Sequence, residues 1–359
     1  MTGLPQTMSG VYLTRHGGPD ALEWRTDIPV PEPGPGQVLV QVLAAGVNNT
    51  DINTRIGWYA PEITSATDDV GADAEVETGG WGGALQFPRI QGGDLCGRVV
   101  SLGKDVANFK IGDRVACANG APRPTPENPM AYRVLGSEYD GAFAQYCLVE
   151  ALDLFDVSDA PHGDTEIAAM PCAYGTAYNL LHRVGVAEGL KVLVTGASGG
   201  VGMAAVQIAS LKGADVTAVS SEHKAAAVQE MGAARVLGRN DALPENHFDI
   251  VVDVVGGPTW PALIKALKPG GHYGVSGAIA GPIVTADLRE IYLRDITIHG
   301  CTHTPRAIFA ELIDLINSGQ LRPMVSATYP LQDIKVAQEK FLEKSLPGKI
   351  VLIPPEVSR

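Results

Sequence analysis

Lys191-Val-Leu-Val-Thr195 runs directly into Gly196-Ala-Ser-Gly-Gly-Val-Gly202. Apolar and β-branched residues fill the first segment, which predicts a short buried strand. The glycines let the backbone turn sharply and approach a ligand closely. Ala204, Ala205, Ile208 and Leu211 then recur at helical spacing, so a helix starts at this loop. A helix N-terminus offers free N–H groups and a positive dipole end to a pyrophosphate. Ala197, Gly199 and Gly202 stand at the three positions of the dinucleotide-binding pattern G-x-G-x-x-G, with alanine replacing the first glycine. The bland alternative is an ordinary glycine-rich turn. A strand before the loop, a helix after it and a second strand at Asp215-Val-Thr-Ala-Val-Ser220 favour dinucleotide binding.

Downstream of that loop the chain alternates strands with helices. Residues 222–231 read as a helix stopped by Gly232, and Phe248-Asp-Ile-Val-Val-Asp253 as a buried strand. A helix over 260–267 ends at Lys268-Pro-Gly-Gly271, and strands follow at His272-Tyr-Gly-Val-Ser276 and Ile296-Thr-Ile-His299. Such alternation implies a parallel sheet covered on both faces, from about residue 160 to 303. Upstream the pattern changes to short strands with turn signals. Val11-Tyr-Leu-Thr-Arg15, Ala21-Leu-Glu-Trp24, Gln37-Val-Leu-Val-Gln-Val-Leu-Ala44 and Gly97-Arg-Val-Val-Ser101 predict a small β-rich domain up to about residue 155. Gly46-Val-Asn-Asn-Thr-Asp51 leaves the long strand as a polar loop, a usual place for chemistry. Residues 61–86 are acidic and glycine-rich without periodicity, which marks a lid, a binding loop or disorder. After residue 303, Thr304-Pro305 opens a helix to Asn317, a second helix covers 333–343, and Lys349-Ile-Val-Leu-Ile353 is the last strand.

Composition excludes several classes of function. The 359 residues carry a formal charge of −13, which disfavours nucleic acid and anionic membranes as partners. No apolar run approaches the roughly 18 residues needed to cross a bilayer. Five widely spaced cysteines suggest neither a disulfide framework nor a metal knuckle. With no basic and apolar leader in residues 1–10, a cytoplasmic location is expected. The eight histidines show neither ligand spacing nor a Ser/Asp partner pattern, so a Ser-His-Asp hydrolase is unsupported.

Together these motifs resemble the medium-chain dehydrogenase/reductase superfamily. Ala44-Ala-Gly-Val-Asn-Asn-Thr-Asp51, Gly92-Gly-Asp-Leu-Cys-Gly97, Gly112-Asp-Arg-Val115, the loop at 194–202 and Gly348-Lys-Ile-Val351 carry the resemblance, which covers the chain except residues 61–86. It implies an α/β protein with a GroES-like, β-rich catalytic domain formed by residues 1–158 and 304–359. A Rossmann domain, a doubly wound parallel sheet for the cofactor, would be inserted over 159–303. Zinc-dependent relatives look similar but carry Cys where Asn48 stands and His where Gly93 stands, and the third ligand position is held by Cys172. With one thiol of three ligands left, and Asp94 nearby, no metal is expected.

The remaining resemblance is to the quinone oxidoreductase branch, with its enone and enoyl-thioester reductases. It implies hydride transfer to an activated C=C bond or a quinone, with Asn48 positioning or polarising the substrate. Tyr59, in Arg55-Ile-Gly-Trp-Tyr59, would be the proton donor or orienter; packing alone is the competing reading. Carried over in the same way, the cofactor contacts are Thr176, Ala197, Ser198, Gly199, Gly200, Val201, Ser220, Ser221, Lys224, Val255, Ser276, Gly277 and Lys349. Ser220 stands where NAD-binding members place an acid. Its hydroxyl, Ser221 and Lys224 suit a 2′-phosphate, so NADPH is the expected cofactor. Within the insert, Trp81 and Phe87 would cover an apolar substrate, while Asp68, Asp69, Asp73, Glu75 and Glu77 keep it solvated. Two alternatives stay open: a zinc-dependent alcohol dehydrogenase, and an NADPH-binding, crystallin-like protein without turnover. A homodimer paired through the edge strand Ile296-Thr-Ile-His-Gly-Cys301 is expected, as is a small-molecule substrate.

Overall fold

The computed structural model describes residues 3–69 and 79–357. The chain divides into two compact units: Met1–Pro61, Gly71–Cys172 and Pro305–Arg359 form one, and Glu62–Val70 with Ala173–Thr304 the other.

The first unit is β-rich. Thr7–Leu13 lies between Leu22–Pro29 and Arg89–Ile90 in a three-stranded sheet. A larger sheet is built on Gln37–Gly46, whose run of Val and Leu side chains is buried. Cys96–Leu102 and Tyr146–Glu150 pair with it antiparallel, as does the final strand Lys349–Ile353, through Val351 opposite Gly46 and Leu352 opposite Ala45. That pairing brings the end of the chain back to its beginning. Leu13, Leu22, Val38, Leu39, Val40, Leu95 and Phe143 form part of one apolar core, each worth about 1.5–3 kcal/mol when fully buried. Helix Arg306–Asn317 turns Ile308, Phe309, Leu312, Ile313 and Ile316 inward, and Phe309 meets Phe155.

Where the domains were expected to part, at residue 158, the first unit instead continues to Cys172. Helix Asp164–Ala168 packs on the Gln37–Gly46 strand so closely that a Cβ on Gly46 would meet the Ala168 carbonyl. A second correction concerns residues 46–51. Only Val47-Asn48 is irregular, because Gly46 ends the strand and Asn49–Ile56 is a helix.

The second unit is a six-stranded parallel sheet. Its order is Arg235–Leu237, Asp215–Val219, Lys191–Val194, Phe248–Asp253, Leu267–Val275 and Thr297–Gly300. This is the doubly wound Rossmann order, which reverses between Lys191–Val194 and Phe248–Asp253 and opens a ligand crevice at their carboxyl ends. Lys268-Pro-Gly-Gly271, expected only to end the preceding helix, lies inside the fifth strand. Leu267 pairs with Phe248 and His272 with Ile250, the irregularity between them absorbing the extra residues. Residues 62–69 of the insert belong to this unit, where the Thr67 N–H donates to the Ile279 carbonyl. Asp73, Glu75 and Glu77 lie outside the described residues. Among the described residues no helix is long and apolar enough to cross a membrane.

Candidate active site

Asn48 caps the helix Asn49–Ile56 and is buried. Its backbone N–H donates to the Asp51 carboxylate at 2.8 Å, the reciprocal half of a capping box. The side-chain amide is engaged at both ends. Nδ2 donates to Asp94 at 2.9 Å and, more weakly, to the Gly46 carbonyl at 3.4 Å, while Oδ1 accepts from the Lys349 ammonium. Lys349 also donates to the Val47 carbonyl and to Asp94, each at 2.9 Å. Three acceptors engage all three ammonium hydrogens, so Lys349 ties the Val47 carbonyl, Asn48 and Asp94 together. Asp94 further accepts the Cys172 N–H at 2.6 Å, so residues distant in sequence meet on one carboxylate.

Gly57, in the left-handed conformation at φ 73°, ends this helix and turns the chain toward Tyr59. Arg55 anchors the turn from below. Its buried guanidinium donates to Gln338 and to the Gly17 carbonyl, and burial lowers its pKa to about 10, still charged at neutral pH. Tyr59 packs edge-on against Trp81, with centroids 4.6 Å apart, and its hydroxyl meets the side chains of Thr50 and Asn53. Burial holds that hydroxyl well above the usual tyrosine range and keeps it a donor at neutral pH. Trp81 thus joins the Tyr59 wall, whereas Phe87 sits edge-on to His16.

In the second unit the loop after Lys191–Val194 has the form a dinucleotide requires. Gly196 takes φ 56°, and Gly199 caps the helix Gly200–Leu211. A Cβ on Gly202 would strike the Gly196 carbonyl, so only glycine lets the helix start lie on the loop. A Cβ on Gly199 would meet nothing nearer than that carbonyl at 3.5 Å, which leaves its outer side open to a ligand. Ala197 and Ser198 are buried beside it, with Gly200 and Val201 in the first turn. The loops after the next two strands close on the same place: Gly196 abuts Val254 and Val255, and Gly277 abuts the Val254 carbonyl. Asp253 organises them, accepting from Thr195 at 2.6 Å, from the Val255 and Gly256 N–H groups, and from Tyr273. The Ser276 hydroxyl is spent on the Cys301 carbonyl, and Thr176 is partly exposed on the helix Pro171–Arg183. Ser220 follows the second strand, its hydroxyl on the Ser221 carbonyl at 3.4 Å. The Ser221 hydroxyl is buried without a hydrogen-bond partner among the described residues, and the Lys224 side chain is buried nearby in sequence. An orphaned hydroxyl at this strand end fits a ligand group.

The donor set around Asn48 does not match a catalytic zinc, which takes three protein ligands. Gly93 has no side chain to give, the buried Cys172 thiol is pushed well above its usual pKa by burial and by Asp94, and the Lys349 ammonium already holds Asp94. Among the described residues no group of three His, Cys, Asp or Glu is placed to hold a metal.

A split β-rich unit joined to a Rossmann sheet with this loop defines an oxidoreductase that uses a nicotinamide dinucleotide. Residues 34–159 match the alcohol dehydrogenase GroES-like domain, and residues 200–318 the zinc-binding dehydrogenase family. Over 335 residues the chain is 30% identical to the acryloyl-coenzyme A reductase of Metallosphaera sedula, covering 90% of this chain and 93% of that protein. The human quinone oxidoreductase is 26% identical over 367 residues, 96% of this chain and 98% of its own. A crystal structure of a Sinorhizobium meliloti 1021 protein superposes with a TM-score of 0.88 at 38% identity, covering 99% of each chain. The chain belongs to the medium-chain dehydrogenase/reductase superfamily.

Asp51 and Asp94 are the site residues that motif reading missed as a working pair. The Asn48-x-x-Asp51 spacing signals the capping box, but the meeting of Asp94 with Lys349 spans 255 positions and leaves no local trace.

Proposed function

We propose that the protein is an NADPH-dependent, zinc-free reductase of an activated C=C bond, in an enone or enoyl thioester, or of a quinone. The observation that carries this reading is the Asn48–Asp94–Lys349 network, in which Asn48 stands at a position where the resemblance puts a zinc ligand. Bound NADPH supplies the hydride. Reduction builds negative charge on the conjugated oxygen, and a donor must meet it. The second Nδ2 hydrogen of Asn48 has only the long bond to Gly46, and the ammonium on Oδ1 polarises the amide toward donation. Tyr59, kept protonated by burial, is the candidate proton source. The similarity to an acryloyl-coenzyme A reductase and a quinone oxidoreductase agrees with this substrate class.

NADPH is preferred over NADH in this reading because Ser220 replaces the acid that would receive the ribose hydroxyls, and the orphaned Ser221 hydroxyl suits a 2′-phosphate. A homodimer formed on the edge strand Thr297–Gly300 and a cytoplasmic setting, consistent with five unpaired cysteines, complete it. The test is oxidation of NADPH and NADH by purified protein against enones, enoyl thioesters, quinones and alcohols, with and without chelator. Chelator-insensitive NADPH oxidation by a conjugated acceptor is expected, and Ser220→Asp should shift the preference to NADH. Zinc-dependent alcohol oxidation, or NADH favoured by the unmodified protein, would overturn the respective part.

A further inference from the structure

Two carboxylates are buried at the start of the helix Asn49–Ile56, and the cation beside them, Lys349, pairs with Asp94. Asp94, 0% exposed, receives the Lys349 ammonium, the Asn48 amide and the Cys172 N–H. Asp51, 4% exposed, receives the backbone N–H groups of Asn48 and Gly92 and no cation of its own. Among the described residues, the ionisable groups that face it are Asp94, Lys349, Tyr59 and Cys172. Burial keeps Tyr59 and Cys172 neutral, and Lys349 is paired with Asp94, which leaves Asp51 as the carboxyl without an ion-pair partner among the described residues. Ionised, it leaves an uncompensated buried negative charge, which is costly.

We propose that Asp51 is the residue that sets the pH dependence of the Asn48 site. With its proton it leaves the site neutral, and charge can build on the substrate oxygen; without the proton it opposes that charge. Asp51 is a positioning residue in this role, since it acts through the Asn48 backbone and through its field rather than by touching substrate. The inference rests on the proposed reductase reading. Burial pushes Asp51 up to about 7; Asp94 adds to the rise, and the Asn48 N–H and Lys349 oppose it.

The test is kcat/KM for reduction of a conjugated acceptor between about pH 6 and pH 8. A single group titrating near neutrality makes the wild-type ratio roughly tenfold across that window. Asp51→Asn keeps an acceptor for the Asn48 N–H but cannot ionise, so its ratio should fall to about one. Asp94→Asn removes the neighbouring negative charge and should move the alkaline limb to lower pH, an arm that still decides the matter if Asp51→Asn does not fold. An undiminished alkaline limb in Asp51→Asn, or an unmoved one in Asp94→Asn, overturns the proposal. Carboxyl-carbon NMR of aspartate-labelled protein reads the same group without turnover. A resonance titrating near neutrality supports the assignment, and none doing so between about pH 5.5 and pH 8.5 overturns it. If that resonance is present while every acceptor goes unreduced, the reductase reading fails and the assignment of the titrating group to Asp51 stands.

Discussion

At the scale of single residues, Asn48 and Tyr59 divide the work in a way that substitution separates. Losing one oxyanion donor costs about 2.7–4 kcal/mol in kcat, so Asn48→Leu should reduce turnover by that order. Tyr59→Phe removes the hydroxyl that meets Thr50 and Asn53 while keeping the ring on Trp81. A general acid contributes about 10²–10⁴-fold, and a loss under about tenfold would make Tyr59 a wall of the pocket. Asp51 carries a consequence for stability as well. Its pKa is raised from 3.8 to about 7 in the folded state. Its favourable contribution is therefore complete below pH 3.8 and lost as pH rises through about 7. The loss is on the order of 4 kcal/mol, at 1.36 kcal/mol per pKa unit. Thermal unfolding should show Asp51→Asn gaining on the wild type from about pH 5 to pH 8; parallel curves would remove the idea.

Among the elements, the loop at 196–202 and the helix it opens form the best-defined functional unit. Two of its glycines serve different ends, and this can be measured. Gly202→Ala puts a methyl group against the Gly196 carbonyl and the Ala197 Cα, a case of overpacking that typically costs 1–3 kcal/mol. Thermal stability and NADPH binding should fall together. Gly199→Ala meets only the 3.5 Å contact, so the fold should hold while NADPH binding, read by nicotinamide fluorescence, weakens. Binding by Gly199→Ala as tight as by the wild type would mean that the pyrophosphate does not approach Gly199. The helix Asn49–Ile56 teaches the opposite lesson. Its buried residues include Asp51, Asn53, Thr54 and Arg55, so apolar periodicity is nearly absent and only the capping signal marks it.

For the molecule as a whole, the open question is assembly. Thr297–Gly300 ends the parallel sheet, and Ile298 on it is exposed, as are Leu288, Tyr292 and Leu293 just before it in sequence. An edge strand with free backbone groups and apolar neighbours seeks a partner, and a second copy offers the same edge by two-fold symmetry. Light scattering at micromolar concentration should give a dimer, and Ile298→Lys should shift it toward monomer. A monomeric wild type would end the proposal.

The alternating strands and helices, the glycine loop at 196–202 and the final strand at 349–353 were legible in the sequence, because backbone pattern and local glycine chemistry determine them within a few residues of each other. Local pattern could not reveal that the first unit runs to Cys172, since that boundary follows from packing of the helix Asp164–Ala168 on a strand more than a hundred positions away. The site divides along the same line. Asn48 and Tyr59 sit in recognisable motifs, but the commitment of Lys349 to Asp94 and Asn48, and the charge imbalance this leaves on Asp51, come from groups far apart in the chain meeting in a dry interior. Burial decides their chemistry, and burial is a property of the folded molecule alone.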